Sequence, residues 1–269
     1  MLVCAKFAFF HGINIKQHFF FMTDKVIQVT QRNEIPTIMA NEAVEGGVFL
    51  IDKPLDWTSF AVVNKLRHRL TRLYKNKKYK VGHAGTLDPL ATGLLIICFG
   101  KMTKQIDAFM GLPKAYTGIF KLGATTPSYD AETEINAHFP TEHITPSVLE
   151  AARLQFLGDI DQLPPIFSAI KIDGKKLYES AREGETVDIK TRRVTIHQFD
   201  IEQISPTEIR FYVRCSKGTY IRSLAFDFGR ACGSGGYLTQ LCRTEIGDFK
   251  IESAWQLNDL VSEIEKVTV

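Results

Sequence analysis

The most informative part of this chain is the stretch Gly82-His83-Ala84-Gly85-Thr86-Leu87-Asp88-Pro89-Leu90-Ala91-Thr92-Gly93. It places one carboxylate, Asp88, in a loop where glycines allow close backbone approach to a ligand and Pro89 fixes the chain after the acid. The loop follows a basic segment, residues 65–80, and no Asp or Glu lies between Asp56 and Asp88. An isolated acid beside this much positive charge is suited to act on a polyanion, although a surface turn beside a solvated basic helix has the same composition.

Bulk properties favour a protein of the reducing cytoplasm. The 269 residues can bury a sizeable core in one or two domains. The net charge of +3 is small, but its uneven distribution matters more for nucleic-acid binding than the total. The five cysteines are odd in number and lack a zinc-binding spacing, so we expect free thiols. The most apolar run, Leu94 to Phe99, is too short to span a membrane.

The local patterns mix strands and helices without a regular βαβ order. Thr58 is a suitable N-cap because Val62, Leu66 and Leu70 follow at helical spacing. Residues 209–215 alternate apolar and polar side chains, so that strand buries one face. The mixed order predicts an α+β fold around a mixed, mainly antiparallel sheet with flanking helices. The other expected elements are strands over 48–51, 94–99 and 116–122, an extended segment over 186–204, and helices ending at Met110 and spanning 146–157, 175–182 and 219–231.

The loop and five further blocks of sequence resemble the TruB family of tRNA pseudouridine synthases. The resemblance covers about residues 46–249, and it implies the pseudouridine synthase fold with a central RNA-binding cleft. The five blocks, in chain order, are Ile51-Asp52-Lys53-Pro54 with Trp57-Thr58-Ser59, Lys114-Ala115-Tyr116, residues 164–171 with 177–182, residues 215–224, and Leu241-Cys242-Arg243-Thr244 with Gly247.

The reaction that the resemblance implies breaks the bond from ribose C1′ to uracil N1, turns the base and rejoins it through C5. It is redox-neutral and the base never departs, so it requires no nicotinamide, metal or energy donor, and we expect no cofactor. It does require a carboxylate at the sugar–base junction, either to attack covalently or to abstract a proton. Asp88 matches the catalytic aspartate of the family; a turn or helix-cap acid is the alternative.

A target base within folded RNA must be flipped out and held by stacking. Tyr116 matches the family's base-stacking tyrosine, although its strand pattern alone favours a core aromatic. Arg222 matches the arginine that pairs with the catalytic aspartate, with a surface or phosphate-binding arginine as the alternative.

Four further residues complete the predicted substrate site. Tyr220 and Leu241 match positions that line the uracil pocket. His83 matches a histidine that contacts RNA near the flipped base, although a lone histidine in a glycine-rich loop is more often incidental. Lys53, with Pro54, either shapes the cleft or has a structural role.

The chain departs from the family pattern in the late motif and the Asp/Thr-rich loop. Cys242 replaces the first of two adjacent arginines and leaves Arg243. Asp130 is the clearest match in a loop, residues 125–130, that otherwise fits loosely.

We expect residues 1–45 to be a poorly ordered N-terminal extension and residues 46–269 to form the catalytic domain. About twenty residues follow Phe249, too few for the C-terminal PUA domain of many relatives. RNA binding should therefore depend on the cleft and the basic segment.

The predicted substrate is the T-arm uridine at tRNA position 55. We expect the protein to act in the cytoplasm as a monomer, and to bind neither a membrane nor a guide RNA. Two alternatives stay open: a synthase acting on ribosomal RNA or directed by guide RNA, and a non-catalytic RNA-binding or tRNA-folding protein. Folding assistance could also coexist with catalysis.

Overall fold

An eleven-stranded sheet runs through the part of the chain that the structure describes. The structure is a computed structural model, and it describes residues 26–29, 46–167, 171–172, 175–176 and 190–267. The strands of the sheet are β1 (Val26–Val29), β2 (Gly46–Lys53), β3 (Val81–His83), β4 (Ala91–Gly100), β5 (Lys114–Leu122), β8 (Gly158–Gln162), β11 (Arg192–Ser205), β12 (Glu208–Cys215), β13 (Gly236–Ile246), β14 (Phe249–Lys250) and β15 (Trp255–Gln256). Their order is β1-β2-β4-β13-β5-β12-β11-β8, with β3 beside β4, β14 beside β13 and β15 beside β2.

Most neighbouring strands in this sheet are antiparallel. The parallel pairs are β1 with β2, β13 with β4, and β15 with β2. Two short antiparallel pairs lie outside the sheet: β6 (Ala124–Thr125) with β7 (Ala137–His138), and β9 (Lys171–Ile172) with β10 (Lys175–Lys176). The predicted α+β fold with a mixed, mainly antiparallel sheet is confirmed.

Five α-helices pack around the sheet in the described residues. They are α1 (Ser59–Leu73), α2 (Ile106–Gly111), α3 (Pro146–Leu154), α4 (Ile221–Ala231) and α5 (Leu257–Val267). A 3₁₀ turn over Lys101–Gln105 leads into α2. No helix in the described ranges is long and apolar enough to cross a membrane.

Helix α1 forms as its sequence predicts. Thr58 is the N-cap, and its hydroxyl accepts a hydrogen bond from the Ala61 amide at 3.0 Å. The apolar stripe that contains Val62, Leu66 and Leu70 is fully buried in one core cluster, together with residues of α5 and of strands β2 and β4. A second cluster joins α4 to strands β5, β11 and β12. Strand β13 lies between β4 and β5, and so it connects the two halves of the sheet.

Several predicted elements differ from the observed ones. Lys175 and Lys176 belong to a strand instead of the predicted helix over 175–182, whose remaining residues lie outside the described ranges. The sequence between β9 and β10 is Asp173-Gly174, and Asp-Gly is a typical two-residue hairpin connection. Helix α3 ends at Leu154 instead of residue 157; Gln155 is its C-cap, and its amide donates to the Ala152 carbonyl at 3.1 Å.

The sequence patterns did not predict β13, α5 or the short strand β1. Strand β13 has no simple alternation of apolar residues, since polar residues such as Gln240 and Arg243 interrupt it and register shifts interrupt its pairing with β5. Strand β1 falls within the predicted N-terminal extension, and its four residues pair with Gly46–Phe49 of β2. The division of the chain at residue 45 stays a prediction.

Candidate active site

A cavity of about 360 Å³ opens where the Asp88 loop faces β5, β13 and the start of α4. This volume lies in the range of ligand sites in proteins, about 300–1,000 Å³. Five of the seven residues predicted for the site line it: Asp88, Tyr116, Tyr220, Arg222 and Leu241. The other lining residues are Gly85, Thr86, Leu87, Met110, Lys114, Arg192, Ser216, Gly218, Thr219, Ile221 and Arg243.

Asp88 and Arg222 form an ion pair within the cavity, as the sequence predicted. Nη2 of Arg222 lies 3.0 Å from Oδ2 of Asp88. The Arg222 side chain is 7% exposed, whereas that of Asp88 is 42% exposed. The arginine is therefore fixed by the protein, and the carboxylate has one side free for a ligand. Arg222 reaches this position because it is the second residue of α4, whose apolar face is anchored in the core by Leu224 and Phe228.

Arg222 is also held from behind by a second carboxylate. Its Nε lies 3.6 Å from Oδ2 of Asp130, and its Nη1 donates to the carbonyls of Phe167 at 2.9 Å and Ser128 at 3.3 Å. Asp130 is itself buried, and its Oδ1 accepts from the Ser128 hydroxyl and from the Glu132 amide. The arginine fork is thus bound at every nitrogen, and its orientation toward Asp88 is fixed. The sequence identified Asp130 as the clearest match in its loop but without a role, because burial of a carboxylate is not visible in a sequence.

The chain on either side of Asp88 is fastened by buried polar contacts. The Ser59 hydroxyl accepts from the Leu87 amide at 2.8 Å and donates to the Leu87 carbonyl at 3.0 Å. The Asp56 amide donates to the Pro89 carbonyl at 2.9 Å. The peptide before Asp88 and the residue after it are therefore both fixed to the segment that begins α1.

Lys53 is fully buried behind this loop and does not line the cavity. Its ammonium donates to the carbonyls of Trp57 at 2.6 Å, Pro54 at 2.8 Å and Pro89 at 3.4 Å. Burial lowers the pKa of Lys53 to about 8, and the neighbouring Asp88 charge opposes that change. The geometry supports the structural alternative for this residue, because the ammonium protons are directed at protein carbonyls.

Arg243 holds the other end of the loop. Its side chain is 1% exposed, and it donates to the carbonyls of Leu94 at 2.8 Å, Gly85 at 3.0 Å and Thr86 at 3.5 Å. The sequence assigned no role to Arg243; the structure places it beneath the loop, with one edge at the cavity. Its neighbour Cys242 is half-buried on the other face of β13, against Gly93.

Lys114 is a third buried cation at the cavity. Its ammonium donates to the carbonyls of Met110 and Leu112, both at 2.6 Å. Burial, together with the nearby Arg243 charge, lowers the pKa of Lys114 to about 8. Lys114 therefore ties the end of α2 to the strand that carries Tyr116.

The aromatic side of the cavity is formed by Tyr116, Tyr220 and the apolar Leu241. Tyr116 is 8% exposed, and burial raises the pKa of its phenol, a change that the adjacent Arg243 opposes. The backbone of Tyr220 is fixed by buried Gln162, whose side-chain amide accepts from the Tyr220 amide at 2.7 Å and donates to its carbonyl at 3.0 Å. Leu241 lies on β13 directly beside Gly118 of β5. These three residues can hold a planar base next to Asp88.

His83 lies on β3, before the loop, and is not among the cavity-lining residues. Its Nδ1 is buried without a hydrogen-bond partner in the described residues. Burial, followed by the Arg243 charge, lowers the pKa of the imidazole. A contact of His83 with RNA stays a prediction.

The fold defines the class of protein. One similar solved structure is described as a Cbf5–Nop10–Gar1 complex, with a TM-score of 0.62 and 28% identity over 85% of this chain. Another, an H/ACA RNP bound to a substrate RNA containing 2′-deoxyuridine, has a TM-score of 0.58 and 26% identity over 81% of this chain. This chain spans 56% and 53% of those solved chains. The architecture is that of the pseudouridine synthases.

Sequence comparison identifies the family within that class. The model described as TruB family pseudouridylate synthase (N terminal domain) matches residues 71–221. A tRNA pseudouridine synthase B of Flavobacterium johnsoniae is 60% identical over 214 residues, which are 79% of this chain and 93% of the relative. The protein of that description from Phocaeicola vulgatus is 54% identical over 208 residues, 77% of this chain and 88% of the relative. The chain belongs to the TruB family.

Proposed function

We propose that this protein is a tRNA pseudouridine synthase that isomerises the T-loop uridine at tRNA position 55, with Asp88 as its catalytic carboxylate. The observation that carries the proposal is the Asp88–Arg222 pair at 3.0 Å, which faces a cavity lined by two tyrosines and a leucine. The relatives at 50–60% identity are tRNA pseudouridine synthases B, and this is an isomerase activity.

The chemistry needs one carboxylate at the sugar–base junction. The bond from C1′ to N1 breaks, the base turns, a bond from C1′ to C5 forms, the C5 proton leaves and N1 gains a proton. Asp88 either attacks the nucleotide covalently or abstracts a proton, and both roles require an oriented, ionised carboxylate. Arg222 provides the orientation, because Asp130 and two backbone carbonyls fix its own guanidinium.

The cavity suits a flipped base. A uridine taken out of the RNA stack loses its stacking neighbours, and enclosure by aromatic and apolar side chains compensates for that loss. Tyr116 supplies a fixed ring, Leu241 an apolar wall, and Tyr220 a second ring beside the entrance. The exposed side of Asp88 faces the same space.

A basic groove beside the loop supports binding of the RNA backbone. It has a volume of about 420 Å³ and is lined by Arg67, Lys77, Lys78 and Lys80, together with Tyr79, Val81, Gly82, Thr103 and Ile106. The three lysines are exposed. The stacked rings of Tyr74 and Tyr79, with centroids 4.6 Å apart, give this segment a defined shape. Because β3 runs from the groove to the Asp88 loop, RNA phosphates bound here would lie close to the active site.

We infer that the enzyme acts as a cytoplasmic monomer on the isolated T arm, without guide RNA. The solved neighbours are complexes with Nop10 and Gar1 or an H/ACA RNP, whereas the more similar curated relatives carry the name of a tRNA enzyme. That difference in similarity favours tRNA as the substrate.

The test compares wild type with Asp88→Asn on a T-arm stem-loop, with pseudouridine measured by mass spectrometry. We expect the variant to fold and to bind the RNA with near wild-type affinity but to form no product. A control variant, Asp161→Asn, removes a carboxylate that is exposed and paired with Arg193 at 3.2 Å on the sheet edge. Normal turnover by Asp88→Asn would refute the catalytic assignment, and reaction with a ribosomal fragment but not with the T arm would refute the substrate. If Asp88→Asn still assists tRNA folding, that activity is separate from catalysis.

A further inference from the structure

Arg192 is a cation of the cavity to which the sequence assigned no role. It is the first residue of β11, it lines the cavity, and its guanidinium carbon lies 5.1 Å from the centre of the Tyr220 ring. Its side chain is half-buried. It therefore lies on the aromatic side of the cavity, beside Tyr220.

The other cations that line the cavity are engaged by protein acceptors. Arg222 binds two carboxylates and two carbonyls, Arg243 binds three carbonyls, and Lys114 binds two. Within the described ranges, no carboxylate forms an ion pair with Arg192, and no protein oxygen accepts from its guanidinium. A guanidinium that stacks on an aromatic ring keeps its in-plane N–H groups available for an anion.

The neighbouring residue, Arg193, lies on the opposite face of β11 and has acidic partners there. Successive side chains of a strand point to opposite faces. Arg193 accordingly points away from the cavity and pairs with Asp161 at 3.2 Å and with Asp159 at 3.9 Å. The two arginines have the same charge and adjacent positions, but only Arg193 has acidic partners in the described residues.

The turn from Ser216 to Tyr220 forms the wall next to Arg192. Gly218 has a φ of +82°, and a Cβ placed there would lie 3.7 Å from Nη1 of Arg192. The Thr219 hydroxyl donates to the Ser216 carbonyl at 3.0 Å, and the Ser216 hydroxyl accepts from the Thr195 amide at 2.9 Å, so the turn is rigid. Lys217 is exposed at its tip and adds positive charge.

We propose that Arg192 and the Ser216–Thr219 turn form a binding site for a backbone phosphate of the RNA, next to the flipped uridine. The proposal rests on the proposed function, because it assigns the anion to the polynucleotide that carries the target base. A guanidinium binds a phosphate through two parallel N–H groups, and this geometry leaves its stacked face on Tyr220 undisturbed. The site would fix the backbone while Tyr116 and Leu241 enclose the base.

A different role for Arg192 is to support the Tyr220 ring without touching RNA. That role predicts an altered base pocket and no sensitivity to the charge of any one phosphate. Single neutral linkages in the RNA therefore distinguish the two roles. A methylphosphonate on the 5′ or on the 3′ side of the target uridine removes one charge at a time.

The experiment measures binding of these T-arm RNAs to Asp88→Asn protein, so that the RNA stays unconverted, with Arg192→Ala, Arg192→Lys or Arg193→Ala added. We expect one neutral linkage to weaken binding about ten- to hundredfold when Arg192 is present, and to have little effect once it is alanine. Lysine should restore part of the sensitivity, since it keeps the charge but not the two parallel donors. Arg193→Ala should behave as the parent protein does.

Two results would overturn the assignment: equal affinity of the Arg192→Ala protein and its parent, or neutral linkages that weaken both proteins to the same extent. Turnover of the unmodified arm by the wild-type enzyme is measured in parallel. Absence of pseudouridine there would contradict the proposed function, whereas normal turnover combined with insensitivity to Arg192 would contradict the phosphate site alone.

Discussion

The Ser59 hydroxyl is bound to both polar groups of Leu87, accepting from its amide at 2.8 Å and donating to its carbonyl at 3.0 Å. Leu87 directly precedes Asp88, so one buried side chain at the start of α1 fixes the peptide that carries the proposed catalytic residue. The contact spans 28 positions of the sequence and connects the core cluster beneath α1 to the cavity.

Ser59→Ala should therefore impair catalysis more than RNA binding. Removing the hydroxyl leaves a buried amide and a buried carbonyl unpaired, which costs about 1–3 kcal/mol of stability. A small displacement of Asp88 should lower kcat by about ten- to hundredfold with little change in KM. Steady-state kinetics with a T-arm RNA and a urea unfolding curve measure the two effects.

Thr58→Ala is the matched control. Thr58 caps the same helix, and its removal costs a comparable amount, about 0.5–2 kcal/mol, but its hydroxyl contacts Ala61 instead of the loop. Its kcat should match that of wild type. Equal reductions of kcat in the two variants would mean that Ser59 acts through stability alone.

Gly93→Ala should destabilise the junction of β4 and β13. Gly93 has a φ of +102°, and a Cβ there would lie 2.4 Å from the carbonyl oxygen and 2.7 Å from the amide nitrogen of Arg243. The backbone strain and the clash together should cost about 2–5 kcal/mol. Gly158→Ala provides the comparison, because its φ of +81° carries similar strain but no atom lies within 4 Å of the new methyl group. Denaturant unfolding should show a clearly smaller destabilisation for Gly158→Ala; equal destabilisation would exclude the clash.

Raising the pH should increase the free energy of unfolding of the wild type relative to that of a Lys53→Met variant. Burial lowers the pKa of Lys53 to about 8, below its ordinary value of 10.5. Between these values the unfolded chain binds more protons than the folded one, so the free energy of unfolding rises with pH. The full gain is at most about 3 kcal/mol, and the methionine variant lacks it. Unfolding free energies of both proteins from pH 7 to pH 10 test this prediction.

A stability difference between the wild type and Lys53→Met that stays constant from pH 7 to pH 10 would show that burial does not lower the pKa of Lys53 as described.

Replacing Lys77, Lys78 and Lys80 by alanine should weaken tRNA binding and reduce its dependence on salt. Removing the ion pair with one phosphate lowers the slope of log affinity against log salt by roughly 0.7–0.9. Turnover at saturating RNA should change little, since none of these lysines lines the catalytic cavity. A control variant replaces Lys250 and Lys266, which are exposed on β14 and α5. Parallel salt titrations of equal affinity for the groove variant and wild type would refute phosphate binding in the groove.

The sequence patterns predicted the elements whose signals lie close together in the chain. The Thr58 cap and the apolar stripe of α1 are close in sequence, and the alternation of Ile209, Phe211 and Val213 on β12 follows from one-sided burial. The place of β13 could not be found in this way. It pairs with β4 about 150 positions earlier in the chain, and no periodicity within residues 236–246 records that neighbour.

The residues of the candidate site also fall into two groups: those that sequence motifs identify, and those whose roles depend on contacts distant in the sequence. Asp88, Tyr116 and Arg222 were identified from motifs, and the structure brings them to one cavity. The supporting roles of three residues were not identified, because burial and hydrogen bonding determine them: Asp130 behind Arg222 and Arg243 beneath the loop, which the motifs named without a role, and Gln162 beneath Tyr220, which they did not name. Lys53 was given two alternatives, and the three carbonyls around its ammonium favour the structural one.

The central position of β13 has a consequence for the newly made chain. Asp88 emerges from the ribosome early, but Arg243, which fastens its loop, emerges more than a hundred residues later. Synthesis proceeds from the N-terminus at about 5–20 residues per second, so Arg243 follows Asp88 by about 8–30 seconds. Until β13 has been synthesised, no strand joins β4 to β5. A nascent chain therefore gains this support of the Asp88 loop only after β13 has been synthesised.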